Sequence, residues 1–316
     1  RSVSMESLFA DVVPLDQDDG PDPVVRIAYS TEFTQTMGYF RSVLVSGEFS
    51  ERTLLLSAEV ISHNAANYTA WQYRRRCLDE LHKQSTPEQR LEAWRQELCF
   101  CDEQCRNNMK NYQVWFHRRT CVERLGEVGS EMEFVAEILE EDSKNYHAWG
   151  HRQWVLRRFG VWEHELAYVE KLIRQDVRNN SAWNQRYFVL SQTADLRSLE
   201  LVIAEVQYAI SQIELAPNNP SPWSFLKGLT QPVGFESVPQ VKALCERLSH
   251  FKSPGASGEG ASGVCVNALA LLVDVLQGEG SAEAIARAHS ICMQLQEIDS
   301  IRAKYWQWRR QHPNVK

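Results

Sequence analysis

Two stretches of the chain, EMEFVAEILEED (131–142) and HELAYVEKLIRQD (164–176), set apolar residues among polar ones with the spacing of an amphipathic helix, and both end in acidic residues. Shortly after each comes a second kind of segment, with a tryptophan four positions after an asparagine. Aligning the chain on Trp71, Trp115, Trp149, Trp183 and Trp223 gives spacings of 44, 34, 34 and 40 residues. An Asn stands four positions before every one of these tryptophans, at 67, 111, 145, 179 and 219, and an Arg three positions after the first four, at 74, 118, 152 and 186. The chain is therefore a repeat protein. A period of 34 residues accommodates two helices of about three to four turns with short turns between them. Asn is a favoured helix N-cap, so the motif reads as the start of the first helix of each pair, with Asn111 capping a helix that begins at Tyr112. Strand signals are nearly absent. The expected fold class is all-α: a right-handed α-α superhelix (solenoid) of antiparallel helical hairpins, crescent-shaped.

The pattern changes at two places. Residues 1–30 are rich in Asp and Pro and predict an extended N-terminal segment ahead of a helical-repeat domain at 31–316. The stretch SPGASGEGASG (253–263) predicts a flexible loop. Within the N-terminal segment DDGPD (18–22) matches the DDxxD pattern that isoprenoid synthases use for magnesium diphosphate. That use needs a helix, which Gly20 and Pro21 disfavour, so the stretch reads as a solvated acidic turn.

Composition narrows the function. A net charge of −7 argues against a nucleic-acid binder, which would carry a basic face. No apolar run approaches the length of a membrane span, and no signal peptide opens the chain. Eight cysteines are scattered. Cys99, Cys101 and Cys105 cluster without a nearby His and with spacing unlike that of structural zinc sites, so the cysteines read as reduced thiols of a cytoplasmic protein, most of them core fillers, and no metal site is assigned to the chain.

The repeats also act as an internal alignment. The recurring Asn, Trp and Arg serve the hairpins: a cap, a filler between layers, and a cation for carbonyls or acids of the neighbouring hairpin. His117 and His151, each two after the Trp, read as packed or hydrogen-bonded scaffold residues. Two positions vary. Before the Asn the series is Ala66, Lys110, Lys144, Arg178, Asn218; two before the Trp it is Thr69, Gln113, His147, Ser181, Ser221. Both lie at the helix N-terminal edge, where free N–H groups favour anions. Lys110 and Lys144, with Tyr112 and Tyr146 beside them, form a candidate site for a phosphate or carboxylate. No triad, HExxH, P-loop or dinucleotide fingerprint accompanies it. A candidate anion rim without a nucleophile is half of an active site.

NAANYTAWQYRRRCL (64–78), KNYQVWFHRR (110–119), KNYHAWGHRQWVL (144–156), DVRNNSAWNQRYFVLS (176–191) and WSFLKG (223–228) resemble the protein prenyltransferase α-subunit repeats. DDGPDPVVRIAYS (18–30) is similar to the segment that precedes the helices in the branch shared by farnesyltransferase and geranylgeranyltransferase type I. The resemblance implies a crescent wrapped around a β subunit that holds zinc, the CaaX cysteine and most of the isoprenoid pocket. The reaction implied is transfer of a prenyl group from farnesyl or geranylgeranyl diphosphate, with its magnesium, to the cysteine of a C-terminal CaaX motif. Carried over by motif, Lys110 would stabilise the leaving diphosphate and Tyr146 would hydrogen-bond near it, with Asn145 and His147 shaping that region. Gln113 would meet the CaaX carboxylate, and Tyr112 and Tyr68 would line the cavity. Lys144, although equivalent by repeat, is implied instead as a β-subunit contact. Two alternatives stand beside this reading. A non-catalytic scaffold has no need of Lys110 beside Gln113. The α subunit of another prenyltransferase, such as the Rab enzyme, is not expected to carry the segment at 18–30. The 44-residue first spacing, with its extra length near 85–108, departs from the family pattern.

Overall fold

The computed structural model describes residues 5–250 and 264–312. The loop expected at 253–263 lies outside them. Among the described residues there is no strand, and the fold is all-α. The chain divides into two compact units, Arg1–Gly160 and Val161–Lys316. The first contains α1 (Met5–Leu8), α2 (Thr31–Ser46), α3 (Glu51–His63), α4 (Tyr68–Leu81), α5 (Pro87–Asn107), α6 (Tyr112–Leu125), α7 (Glu131–Glu141) and α8 (Tyr146–Phe159). The second contains α9 (Glu165–Gln175), α10 (Asn180–Thr193), α11 (Leu199–Leu215), α12 (Pro220–Thr230), α13 (Pro239–Ser249), α14 (Val266–Glu279), α15 (Ala282–Ile298) and α16 (Ala303–Gln311).

In the first unit α3 packs along α4, α5 along α6 and α7 along α8; in the second, α9 packs along α10 and α11 along α12. The motif helices also touch one another, α4 with α6 and α6 with α8 in the first unit, α10 with α12 in the second. The tryptophan motif therefore opens the second helix of each hairpin, not the first as the sequence reading had it. Short turns flank the motif helix on both sides, so turn length could not choose between the two pairings. Packing chooses: each motif helix lies along the helix before it.

The turn inside each hairpin is built from its own residues. The N–H of Asn67, Asn111, Asn145 and Asn179 donates to the carbonyl three residues back, each at 3.0 Å. The Asn side chains then accept first-turn N–H groups, as in Ala70 N to Asn67 (3.1 Å) and Ala148 N to Asn145 (3.0 Å). All five tryptophans are buried, and each indole N–H donates to the carbonyl six residues earlier: Ala65, Met109, Ser143, Val177 and Pro217. One carbonyl serves two repeats, since Met109 O also accepts from Asn145 Nδ2 (3.1 Å) and Val177 O from Asn219 Nδ2 (2.7 Å). The recurring Asn and Trp thus meet a complete donor requirement in a buried turn.

The recurring Arg joins hairpins. Arg74 makes a two-pronged bond to Glu97 (2.6 and 2.7 Å), Arg118 to Glu131 (3.0 and 2.6 Å) and Arg186 to Glu205 (2.7 and 2.8 Å). His117 Nε2 shares Glu97 at 2.6 Å, and His151 Nε2 shares Glu131 at 2.8 Å. Burial pushes the Glu97 and Glu131 carboxyls up, but the hydrogen bonds from His117 and His151 and the charges of Arg74 and Arg118 outweigh it and hold both below 4.5. Burial keeps both imidazoles below 6.5 despite the carboxylates. Each His is then a neutral N–H donor to a charged acid, in line with the scaffold role expected of it.

The long first spacing is explained by α5, with 21 residues against 11 in α7 and in α9. Its Trp94 is buried against Leu78 and Cys121. At the N-terminus Phe9 is fully buried and stacks on Tyr39 at 5.5 Å, while Arg52 holds Asp11 at 2.6 Å. Gly38 lets this segment approach, because a Cβ there would stand 2.9 Å from Pro14 Cβ. From Asp18 to Tyr29 the chain is non-helical and nearly all exposed, including the DDGPD turn, where Gly20 N donates to Asp18 Oδ1 at 2.8 Å.

Candidate functional site

Tyr68, Tyr112 and Tyr146 are the first residues of α4, α6 and α8, each directly after its Asn cap. They are 69%, 70% and 74% exposed, while the tryptophans three positions on are buried. Three large exposed aromatics at one structural position on neighbouring helices form a ledge that offers a contact surface.

Lys110 precedes the cap of α6. Its ammonium is exposed and lies 3.2 Å from Asp142 Oδ2, in the turn before α8. His147, the second residue of α8, stands between Tyr112 and Tyr146. Its ring meets Tyr112 edge-on at 4.3 Å and Tyr146 at 5.5 Å. Burial lowers its pKa below 6.5, against an opposing hydrogen bond with the Lys110 backbone, so His147 contributes shape and a polar atom at neutral pH, not a charge. Contacts thus bring Lys110, Tyr112, Tyr146 and His147 together. Gln113 is half-buried beside Tyr112 on the first turn of α6, and Tyr68 stands at the matching end of α4. Lys144 is exposed and gives its backbone N–H to Asp142 Oδ1 at 3.2 Å.

Asn145 sits behind this surface. It is buried, its Oδ1 accepts from Ala148 N and its Nδ2 donates to Met109 O, so it fixes the two turns relative to each other. The caps also change the anion argument. Asn111 Oδ1 accepts from both Gln113 N (2.9 Å) and Val114 N (3.4 Å), so first-turn N–H groups of α6 are already used and the positive charge at the start of α6 is that of Lys110. Asp142 belongs to this site without having stood out in the repeat pattern. Its signal was its place three before the cap, where the first two repeats carry the neutral Asn64 and Asn108.

Chemically, an ammonium, phenol hydroxyls and a carboxamide can hold and polarise an anion, but they supply no nucleophile. The buried thiols are poor candidates, since burial raises the pKa of Cys101 and Cys121 well above 9.0. Among the described residues, the His/Cys/Asp/Glu set with ligand atoms close enough for a metal is Glu32, Glu59 and His63, within 4.8 Å of one another on α2 and α3. It contains no thiolate and no residue of the ledge.

Comparison with known proteins bears on this geometry. The protein prenyltransferase alpha subunit repeat matches residues 50–81, 94–125, 128–159 and 162–193. Each match ends in a tryptophan-motif helix, and the second begins at Trp94, so the added length of α5 precedes it. The protein farnesyltransferase/geranylgeranyltransferase type-1 subunit alpha of Dictyostelium discoideum is 40% identical over 304 residues, 95% of this chain and 91% of its own length. The protein of that name from Solanum lycopersicum is 40% identical over 325 residues, 96% of this chain and 88% of its own. Among solved structures, a chain of the Candida albicans protein geranylgeranyltransferase-I complexed with GGPP superposes with a TM-score of 0.82 at 25% identity, covering 96% of this chain and 98% of its own.

Proposed function

Because the chain belongs to the family of α subunits shared by protein farnesyltransferase and geranylgeranyltransferase type 1, we propose that the tyrosine ledge and Lys110 are its share of an active site that a β subunit completes. Family membership sets aside the scaffold reading. The shared-subunit name carried by the relatives sets aside the Rab-type enzyme.

The reaction is prenyl transfer to the cysteine of a CaaX protein C-terminus. A bond forms between the cysteine sulfur and C1 of farnesyl or geranylgeranyl diphosphate as the C1–O bond breaks; the thiol proton passes to solvent and inorganic diphosphate leaves with the bonding pair. Zinc held by the β subunit supplies the lowered thiol pKa, and magnesium accompanies the diphosphate as part of the substrate. This chain's own work is on the leaving group and on orientation. Lys110 places a cation where negative charge grows. Tyr146 offers a hydroxyl beside it, and His147, wedged between Tyr112 and Tyr146, sets their spacing. Gln113 gives an amide N–H to the CaaX carboxylate, and Tyr112 and Tyr68 line the cavity. Asn145 holds the turns of α6 and α8 in register behind them. The eight unpaired cysteines fit a reducing, cytoplasmic setting, and among the described residues no helix is long and apolar enough to cross a membrane.

The observation that carries the reading is the exposed Lys110 beside an exposed aromatic ledge whose supporting Asn, Trp and His side chains are buried and paired. The test is Lys110→Ala in the αβ pair. Prenyl transfer at saturating substrate slows by ~10-fold or more with assembly intact; unchanged turnover contradicts the role.

A further inference from the structure

We propose that Asp142 is a positioning residue for Lys110, restraining its ammonium in the resting site so that the charge is delivered to the leaving diphosphate instead of being spent on the bound substrate. The proposal rests on the role given to Lys110 above. Its starting point is a difference between repeats. The residue three before each of the first four caps is Asn64, Asn108, Asp142 and Asp176. In every case its carbonyl accepts the cap's N–H at 3.0 Å. Its side-chain oxygen accepts the amide two residues on in three of them: Ala66 N at 3.0 Å, Lys144 N at 3.2 Å and Arg178 N at 2.9 Å. The first repeat makes this turn with a neutral Asn, so the turn does not require the negative charge of Asp142.

The second oxygen of Asp142 lies 3.2 Å from Lys110 Nζ. The two partners are held unequally. The Asp142 side chain is 25% exposed and fastened to its turn through Oδ1, whereas the Lys110 side chain is 79% exposed. A fixed carboxylate therefore holds an exposed cation from the neighbouring repeat. An exposed pair of this kind is weak and can be exchanged for a more highly charged diphosphate. Without Asp142, Lys110 would bind substrate and inorganic diphosphate more tightly in the ground state, which lowers KM without raising kcat.

The experiment uses the αβ pair carrying Asp142→Asn, Lys110→Ala or both, and measures affinity for inorganic diphosphate, single-turnover rate at saturating substrate, and Tm. Asn is the residue the first two repeats already use. Asp142→Asn is expected to keep Tm, to tighten inorganic diphosphate binding about two- to fivefold, the scale of an exposed ion pair, and to leave the saturated rate no higher than wild type. In the Lys110→Ala background it changes nothing. If Asp142→Asn leaves diphosphate affinity unchanged while Lys110→Ala slows transfer, the positioning role falls and the Lys110 role stands. If Lys110→Ala transfers at the wild-type rate, the role beneath the proposal falls with it. An affinity shift that persists without Lys110, or a drop in Tm with equal rate losses in both backgrounds, also overturns it, the first in favour of a direct charge effect and the second in favour of a turn residue only.

Discussion

The third and fourth repeats, Asp142–Arg152 and Asp176–Arg186, differ in an instructive way. Within its own unit, each begins with an Asn that caps the helix, buries a Trp whose indole donates to the carbonyl six residues back (3.0 and 2.9 Å), and buries an Arg. Where they differ inside, they differ conservatively: His151 donates to Glu131 and Gln185 to Glu165, both at 2.8 Å. A buried carboxylate needs an N–H donor and takes either. Where they differ outside, the change is large. Tyr146 and His147 of the third repeat are Asn180 and Ser181 in the fourth. Interior positions answer to a partner already in the fold, whereas the exposed ones answer to what the surface must meet.

The comparison breaks first if the interiors are not equivalent. Trp149→Ala and Trp183→Ala should each cost ~3–5 kcal/mol of stability, measured by denaturant unfolding followed by circular dichroism; wild-type stability in either would show that its Trp is not a layer filler. Glu131→Ala takes the buried acid from His151 and leaves Arg118 only the partly exposed Asp102, and a loss of ~3 kcal/mol is expected. A loss under ~1 kcal/mol would mean that water replaces the carboxylate.

The same buried pairs predict a pH dependence. His117 and His151 lie below 6.5 in the folded chain. As pH falls through 6.5 the unfolded chain takes up protons that the folded one does not, so stability present above 6.5 is lost below it, by up to ~1.4 kcal/mol per His per pH unit. Glu97 and Glu131, held below 4.5, add a loss of the same sign as pH falls from about 4.5. Urea midpoints between pH 7.5 and 5 read the first window, and a flat profile would place charged imidazoles in the native pairs. The smallest effect sharpens the outer comparison. Lys110→Ala slows transfer by ~10-fold, about 1.4 kcal/mol, whereas Arg178→Ala, at the equivalent position of the fourth repeat, leaves steady-state turnover at wild type. Equal losses in both would make the effect one of repeat architecture.

How much of this was legible in the sequence depended on the range of each contact. The cap and the indole bond close within six residues, so Asn and Trp recur at fixed spacing and could be read from a single chain. The pairing of helices, the acids Glu97 and Glu131 that receive Arg and His from two helices, and the Asp142–Lys110 contact all join separate turns or helices, and periodicity does not register them. The candidate site was legible at Lys110 and His147, where variation stood out against a constant frame, and at Tyr112 and Tyr146 only as their neighbours, since the first three repeats all carry Tyr there. Exposure was not: the sequence puts Tyr112 and Trp115 on one helical face, yet Tyr112, at the first helical position, is exposed and Trp115 is buried.

The central claim is that this chain is half of a catalytic site. The most direct measurement is prenyl transfer to a CaaX peptide from farnesyl and from geranylgeranyl diphosphate, by the chain alone and by the chain co-expressed with a farnesyltransferase-type or geranylgeranyltransferase-I-type β subunit. No transfer is expected from the chain alone, and transfer is expected from the co-purified pair. Transfer by the chain alone, or a co-purified pair without activity, would contradict that claim.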